Sequence, residues 1–96
     1  MRTSVEALEV VDNHALRRYE VSIEGATAFV TYRRTPQALV LTHAEVPATL
    51  RGRGHGARLA YAVLSRLAAR GEKIIAHCPY IATYIERHRE FASLLA

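Results

Sequence analysis

The sequence predicts an α/β fold: a mixed sheet in which three N-terminal antiparallel strands are followed by a crossover helix, a parallel fourth strand and C-terminal helices. Two observations support this prediction. Polar and apolar residues alternate with the two-residue period of a strand before Pro47, and apolar residues recur with the period of a helix after it. The 96 residues, half of them hydrophobic, predict one packed domain over residues 1–96.

Three strands are predicted in the first half of the chain. The first has apolar side chains at Tyr19, Val21 and Ile23 that alternate with polar ones, as in a half-buried strand. Gly25-Ala26 is predicted to form a hairpin turn, and a Thr-Pro-Gln segment interrupts the next apolar run. The predicted strands cover residues 16–24, 27–34 and 38–46. Because short turns join them, the simplest arrangement is an antiparallel meander.

A helix is predicted over residues 54–70, where an apolar stripe faces one side and Gly71 suits the C-terminal end. The stripe consists of Gly56, Ala60, Val63, Leu64 and Leu67. This helix connects the strand at 38–46 to an apolar strand at 73–77. A strand, helix, strand connection of that length makes the two strands parallel, with a right-handed crossover.

Pro79 suits the first turn of a second helix, over residues 80–87. The tail after it, residues 88–96, is predicted to form a short third helix that packs Phe91, Leu94 and Leu95. We find no internal repeat, linker or low-complexity segment in the sequence.

The charge of the chain favours anionic partners in general. Its net charge of +4 arises from 13 Lys and Arg against 9 Asp and Glu. The arginines are spread along the sequence without interleaved aromatic residues, which disfavours nucleic acid. No run approaches the roughly 18 apolar residues of a membrane span, and the first residues lack the apolar core of a secretory signal. We therefore expect a cytoplasmic protein without membrane contact, a monomer or a weak homodimer.

The cysteine and histidine content predicts no metal site. Cys78 is the only cysteine, so the chain forms no intramolecular disulfide and offers zinc no set of thiolate ligands. The five histidines are scattered, and none forms the paired arrangement with a neighbouring glutamate that binds zinc in metalloproteases.

A glycine-rich segment precedes the first predicted helix. Gly52, Gly54 and Gly56 leave the unpaired N–H groups of the first turn accessible, and Arg51 and Arg53 add positive charge. The segment lacks the lysine of an ATPase phosphate-binding loop and the glycine spacing of a dinucleotide fingerprint. The pattern therefore predicts a phosphate site that takes neither ATP nor NAD.

The pattern Arg51-x-x-Gly54-x-Gly56 resembles the Gln/Arg-x-x-Gly-x-Gly/Ala signature of the GCN5-related N-acetyltransferases (GNAT family). Two further stretches, His43 to Pro47 and Cys78 to His88, resemble a short subgroup of about a hundred residues whose sequences end in a CPY/F…YI…HPEY pattern. The resemblance extends from about residue 13 to residue 91. One departure is Arg89, where the subgroup often has proline.

The resemblance implies a minimal GNAT fold and acetyl-CoA as cofactor. The activity it implies is that of an N-acyltransferase that moves the acetyl group to an amine, here unidentified. Residues implied in cofactor binding are Val46, Arg51, Gly52, Arg53, Gly54, His55, Gly56, Ala57, Cys78, Tyr80 and Tyr84. Longer members place two helices after the first strand, and this chain has only a short turn there. The acceptor site is therefore open or completed by another molecule.

Two acid–base candidates lie on the third predicted strand. His43 and Glu45 are two residues apart and should project from the same face. In the family this strand often carries an acidic general base, so Glu45 is the first candidate for that role and His43 the second. If neither residue is catalytic, Glu45 is a solvated side chain at the strand end and His43 is a partly packed one.

Cys78 and Tyr84 complete the catalytic candidates. The position of Cys78 before a helix start favours a lowered thiol pKa, and the subgroup resemblance suggests either an acetyl-cysteine intermediate or a thiol that lines the site. In larger members a tyrosine on this helix protonates the leaving CoA thiolate, and Tyr84 is the nearer match. Tyr80 lies one turn earlier and can share its face.

An alternative function is a non-catalytic acyl-CoA binding module that has the cofactor site without an acceptor. Release of CoA with an amine, or acetylation of Cys78, would separate the enzyme from such a module.

Overall fold

The computed structural model describes residues 8–96. Five strands form one mixed sheet, in which neighbours along the chain are also neighbours in space. The strands are β1 Val10–Asn13, β2 Arg18–Ile23, β3 Ala26–Arg34, β4 Leu39–Glu45 and β5 Ile74–Ala76. The first four pair antiparallel, and β5 pairs parallel to β4. The α/β class and the parallel last strand are therefore confirmed.

Two α-helices cover the sheet. They are α1 His55–Ala69 and α2 Pro79–Arg87, and short 3-10 helices span Ala48–Leu50 and Arg89–Leu94. The apolar stripe of α1 buries Val63, Leu64 and Leu67 completely, and the helix contacts β1, β2 and β3. Helix α2 contacts β4, β5 and α1. No helix between residues 8 and 96 is long and apolar enough to cross a membrane.

The structure adds one strand, β1, to the three that the sequence predicts before α1. Its four residues pair with β2 from Val10 opposite Val21 to Asn13 opposite Arg18. The segment is too short to show a period, and only Val10 is fully buried. Pairing with β2, which is a tertiary property, therefore defines this strand.

Two local predictions need correction. The hairpin between β2 and β3 turns at Glu24 and Gly25 rather than at Gly25-Ala26, because Ala26 pairs with Ile23. Both turn residues have positive φ, 51° and 81°, as a two-residue turn that follows the twist of the strands requires. In the tail, Phe91 and Leu94 are buried as predicted, whereas Leu95 is 41% exposed. Leu95 instead forms a backbone bridge with Ile74.

The C-terminal half of β4 separates from β5. Thr31 pairs with His43 and Tyr32 pairs with Leu41, so Thr42 is the extra residue of a β-bulge. The N–H groups of His77 and Cys78 both donate to the carbonyl oxygen of Leu41, at 3.0 and 2.9 Å. Beyond that point β5 gives way to the start of α2, while β4 continues to Glu45. A gap therefore opens between the end of β4 and the first turn of α2.

Candidate functional site

The start of α1 is an exposed glycine-lined turn. Gly52 and Gly54 have φ of 82° and 77°, and no atom lies within 4 Å of the position that a Cβ would take at either residue. Gly54 is the N-cap of α1, and no side chain caps the helix. The N–H groups of the first turn, contributed by His55, Gly56 and Ala57, are therefore the donors that this turn offers to an anion.

Arg51 and Arg53 flank this turn, and each is held by a carboxylate. Arg51 donates from Nη2 to Glu45 Oε2 at 3.2 Å and from Nε to the Val46 carbonyl at 3.0 Å. Arg53 donates from Nη2 to Glu24 Oε1 at 2.9 Å. Both side chains stay more than half exposed, 63% and 51%. Their guanidinium groups therefore add positive charge beside the turn and are accessible to a second anionic ligand.

His55 is placed differently from its neighbours. Its side chain is buried, with Nδ1 3.1 Å from Arg58 Nη1 and Nε2 3.8 Å from Glu24 Oε2. The imidazole therefore points away from the opening of the helix, so that only the backbone N–H of His55 is available to a ligand there.

Two apolar hollows adjoin the glycine-lined turn, one on each side of the Tyr80 ring. The first has a volume of about 140 Å³ and is lined by Ala44, Val46, Gly56, Leu59 and Tyr80. The second, of about 150 Å³, is lined by Ala57, Tyr80, Thr83, Tyr84, Arg87 and His88. Together they form a groove that runs from the end of β4 across α1 and along α2, and Tyr80 divides it.

Of the two candidate residues on the α2 side, Tyr84 lines the second hollow and Cys78 lines neither. Cys78 is the N-cap of α2, and its free thiol is buried. Tyr84 is buried as well, and its ring stacks on that of His88 with centroids 3.9 Å apart. Burial, assisted by the negative charge of Glu90, raises the pKa of the Tyr84 hydroxyl. Tyr84 therefore keeps its proton at neutral pH.

His43 and Glu45 contact each other, as their spacing predicts. His43 Nε2 lies 2.9 Å from Glu45 Oε1, and Arg51 binds the other carboxylate oxygen. The hydrogen bond from His43, together with the charge of Arg51, lowers the pKa of Glu45. Residues alternate between the faces of a strand, and Ala44 and Val46 line the groove. The His43–Glu45 pair therefore projects from the other face of β4, so that only the gap beside β4 joins the pair to the groove.

Several residues of the groove are not predicted from the sequence. Ala44 was detectable in principle, since it shares a face of β4 with Val46. Thr83 and Arg87 lie three and seven residues after Tyr80, a spacing that places residues on one side of a helix. The participation of Leu59 depends on how α1 packs against β4 and α2, which no local pattern indicates.

Gly56 and Tyr80 form a contact that predicts a measurable coupling. A Cβ at Gly56 would lie 2.8 Å from the Tyr80 hydroxyl oxygen. We expect Gly56→Ala to gain about 1 kcal/mol of helix propensity and to lose a similar amount by displacing Tyr80. In a Tyr80→Ala background only the gain should remain. Urea unfolding of the four proteins of this double-mutant cycle measures the coupling, and strictly additive free energies of unfolding would contradict the contact.

This sheet order, the gap beside β4 and the glycine-lined start of α1 define a small α/β domain with an acetyltransferase-like fold. Residues 18–94 match the family model described as GCN5-related N-acetyl-transferase. The chain therefore belongs to this family, whose fold supports acyl transfer in general.

A solved structure agrees with this assignment at the level of the fold. The chain is similar to the NMR solution structure of a GCN5-like protein from Staphylococcus aureus, with a TM-score of 0.66 and 24% identity. The alignment covers 93% of this chain and 88% of that chain. A search of curated proteins found no significant match.

Proposed function

We propose that the protein is an acetyl-CoA-dependent N-acyltransferase that moves an acetyl group to an amine. One observation carries the proposal: Gly56 belongs both to the first turn of α1 and to the lining of the apolar groove. The proposed phosphate site therefore adjoins the apolar groove. A ligand with a pyrophosphate joined to a long, thin, mostly apolar arm matches this combination, and CoA is such a ligand.

The residues present fit this ligand. The first-turn N–H groups of α1 would bind the pyrophosphate, because Gly52 and Gly54 leave the space in front of them open. Arg51 and Arg53 would add charge-assisted hydrogen bonds to it. The acyl arm would follow the side of β4 that Ala44 and Val46 line, toward Cys78 at the start of α2.

Acetyl-CoA supplies an acetyl thioester, whose carbonyl carbon bonds to the amine nitrogen while the sulfur leaves. The amine loses a proton in this reaction, and the sulfur gains one. We assign proton acceptance to His43, because its Nε2–H donates to the anionic Glu45 and leaves Nδ1 as the acceptor. The lowered pKa of Glu45 makes this carboxylate a weak base, and it serves to orient His43. Tyr84, whose pKa is raised, is the proton donor to the sulfur.

Cys78 allows a two-step variant of the reaction. The Cys78 sulfur would bond to the acetyl carbon while the CoA sulfur leaves and takes up the proton that the cysteine thiol loses. The amine nitrogen would then bond to the acetyl carbon, and its proton would return to the departing cysteine sulfur. Cys78 is the N-cap of α2, which places its side chain at the start of that helix.

The alternative is an acyl-CoA binding module without catalysis. The observation in its favour is that Glu45 is engaged by both His43 and Arg51, so that the strand offers no unpaired carboxylate as a base. The two functions share the cofactor site and differ only in what happens to the acetyl group.

Thermal unfolding with acetyl-CoA, CoA and ATP tests the cofactor. We expect both CoA species to stabilise the protein by about 2.7 kcal/mol at a hundred times the dissociation constant, which raises the midpoint by roughly 11–22 °C. ATP should have a much smaller effect. An unchanged midpoint with acetyl-CoA would reject the cofactor, and with it both functions.

Intact mass and CoA release test the reaction. An increase of roughly 42 Da after incubation with acetyl-CoA, absent from Cys78→Ala, would establish the covalent variant. Release of CoA that requires an added amine and persists in Cys78→Ala would establish direct transfer. If acetyl-CoA binds and a broad panel of amines yields neither result, the protein is a binding module.

A further inference from the structure

A charged hollow, separate from the two apolar ones, lies at the other end of the sheet. It has a volume of about 330 Å³ and is lined by His14, Arg17, Tyr32, Arg33 and Arg34. Arg34 pairs with Leu39 at the start of β4, whereas the start of α1 follows the end of that strand. The seven residues of β4 separate the two sites by about 20 Å. The hollow is therefore distinct from the proposed cofactor site.

A neighbouring hollow of about 210 Å³ extends this region and is lined by Asp12, His14, Tyr19, Arg66 and Arg70. His14 belongs to both hollows, and together they collect five arginines from the turn between β1 and β2, the end of β3 and the end of α1. We call the combined surface the arginine cleft. Its lining residues are His14, Arg17, Arg33, Arg34, Arg66 and Arg70, with Asp12, Tyr19 and Tyr32.

Positive charge exceeds negative charge in the arginine cleft. Glu72 is bound by Arg34 at 3.2 Å, and Asp12 accepts a hydrogen bond from the Tyr32 hydroxyl at 2.6 Å and pairs with His14 at 3.2 Å. Among residues 8–96, no carboxylate lies within ion-pair distance of Arg17 or Arg33. The exposed guanidinium groups of Arg17 and Arg33 are therefore available to an anion.

Arg17 ends the turn between β1 and β2. Its φ is 54°, in the left-handed region that glycine and asparagine occupy at least cost. The carbonyl oxygen of Arg17 accepts the N–H of Tyr32 at 2.9 Å, which fixes the loop against β3. The side chain of Arg17 is exposed, so packing does not explain why arginine stands at this position. The Arg17 guanidinium group therefore extends from this turn beside the hollow, where solvent and ligands reach it.

We propose that the arginine cleft binds a ligand through two or more phosphoryl groups. Planar guanidinium groups bind phosphate oxygens in pairs, and Arg17 and Arg33 are both available for this. Tyr19 and Tyr32 pack against each other with ring centroids 4.8 Å apart, and Tyr19 is buried, so this pair provides no stacking platform for a base. The recognised chemistry is therefore the phosphate group itself, whether in a free polyphosphorylated molecule or in a nucleic-acid backbone.

Calorimetric titration of the full chain with inorganic tripolyphosphate tests the proposal. We expect saturable binding that weakens with salt and that falls about tenfold in both Arg17→Gly and Arg33→Ala, which is roughly 1.4 kcal/mol for each variant. Arg17→Gly should also raise the unfolding midpoint, because glycine relieves the strain at this position. Arg89→Gly, which removes the same charge from an exposed site outside the cleft, should bind tripolyphosphate as the unchanged protein does.

Three results would overturn the proposal. The first is the absence of saturable tripolyphosphate binding, and the second is an equal loss of affinity in Arg89→Gly. The third is binding that survives Arg17→Gly but is displaced by CoA, which would place the anion at the start of α1. A parallel titration with a single-stranded oligothymidylate identifies the source of the phosphate. Tighter binding of the oligonucleotide, lost in Arg17→Gly, assigns the cleft to nucleic acid, whereas binding of tripolyphosphate alone assigns it to a free phosphorylated molecule.

Discussion

Replacing Gly54 by alanine is expected to weaken acetyl-CoA binding by at least about tenfold, which corresponds to about 1.4 kcal/mol. Gly54 has φ of 77° and is the N-cap of α1. A Cβ in this left-handed conformation costs about 1–2 kcal/mol. The turn will relieve this strain by rotating the backbone, and the first N–H groups of α1 will then no longer converge on one anion. Calorimetric titration of both proteins with acetyl-CoA measures the change.

Gly71 provides the matched control for this prediction. Its φ is 71°, and nothing lies within 4 Å of its Cβ position, as at Gly54. Gly71→Ala therefore carries the same kind of backbone strain at the opposite end of α1. Both variants should lose similar stability, and only Gly54→Ala should lose affinity. Equal affinities of the two variants for acetyl-CoA would show that the start of α1 does not bind the cofactor.

Replacing Leu64 by alanine is expected to lower the free energy of unfolding by about 2–5 kcal/mol. Leu64 lies near the middle of α1 on the side that packs against the sheet, and its side chain is completely buried. A domain of this size has a total stability of about 5–15 kcal/mol, so the loss is a large fraction of it. The unfolding midpoint should fall by about 4–8 °C for each kcal/mol, which thermal denaturation followed by circular dichroism records.

Ser65→Ala is the control for the core variant. Ser65 follows Leu64 in the same helix and is only half-buried. Its replacement by alanine changes the helix propensity by a few tenths of a kcal/mol. The unfolding midpoint of this variant should stay within a few degrees of that of the unchanged protein. If both substitutions lowered the midpoint equally, the loss would reflect the helix itself rather than packing of Leu64 against the sheet.

Much of the fold follows from local periodicity. The predicted helix over 54–70 is observed as His55–Ala69, and the predicted strand over 73–77 as Ile74–Ala76. The helix was predictable because it buries one face, which imposes a period on its own residues, and the strand was predictable because its apolar run follows the end of the helix at Gly71. Strand β1 escaped prediction for the converse reason. Four residues at the edge of a sheet, with one buried, carry too little periodic signal.

The candidate site was predictable in part. The glycine-rich start of α1 was visible because positive φ and open backbone restrict a position to glycine. The contact between His43 and Glu45 was visible because residues two apart share a face of a strand. The ion pair between Arg51 and Glu45 was not predictable from the sequence, because it crosses the turn from β4 to α1. The hydrogen bond from His43 and the charge of Arg51 together lower the pKa of Glu45, which makes His43 the proposed proton acceptor.

The sequence by itself therefore determined the class of fold, the helix start that resembles a phosphate site, and the family to which the chain belongs. These depend on residues near one another along the chain, whose spacing is printed in the sequence. Only the tertiary structure decided the division of the groove by Tyr80, the burial of the His55 ring and the assembly of the arginine cleft. Each of these joins segments that are distant in sequence, and the packing of α1 and α2 on a twisted sheet sets their separation.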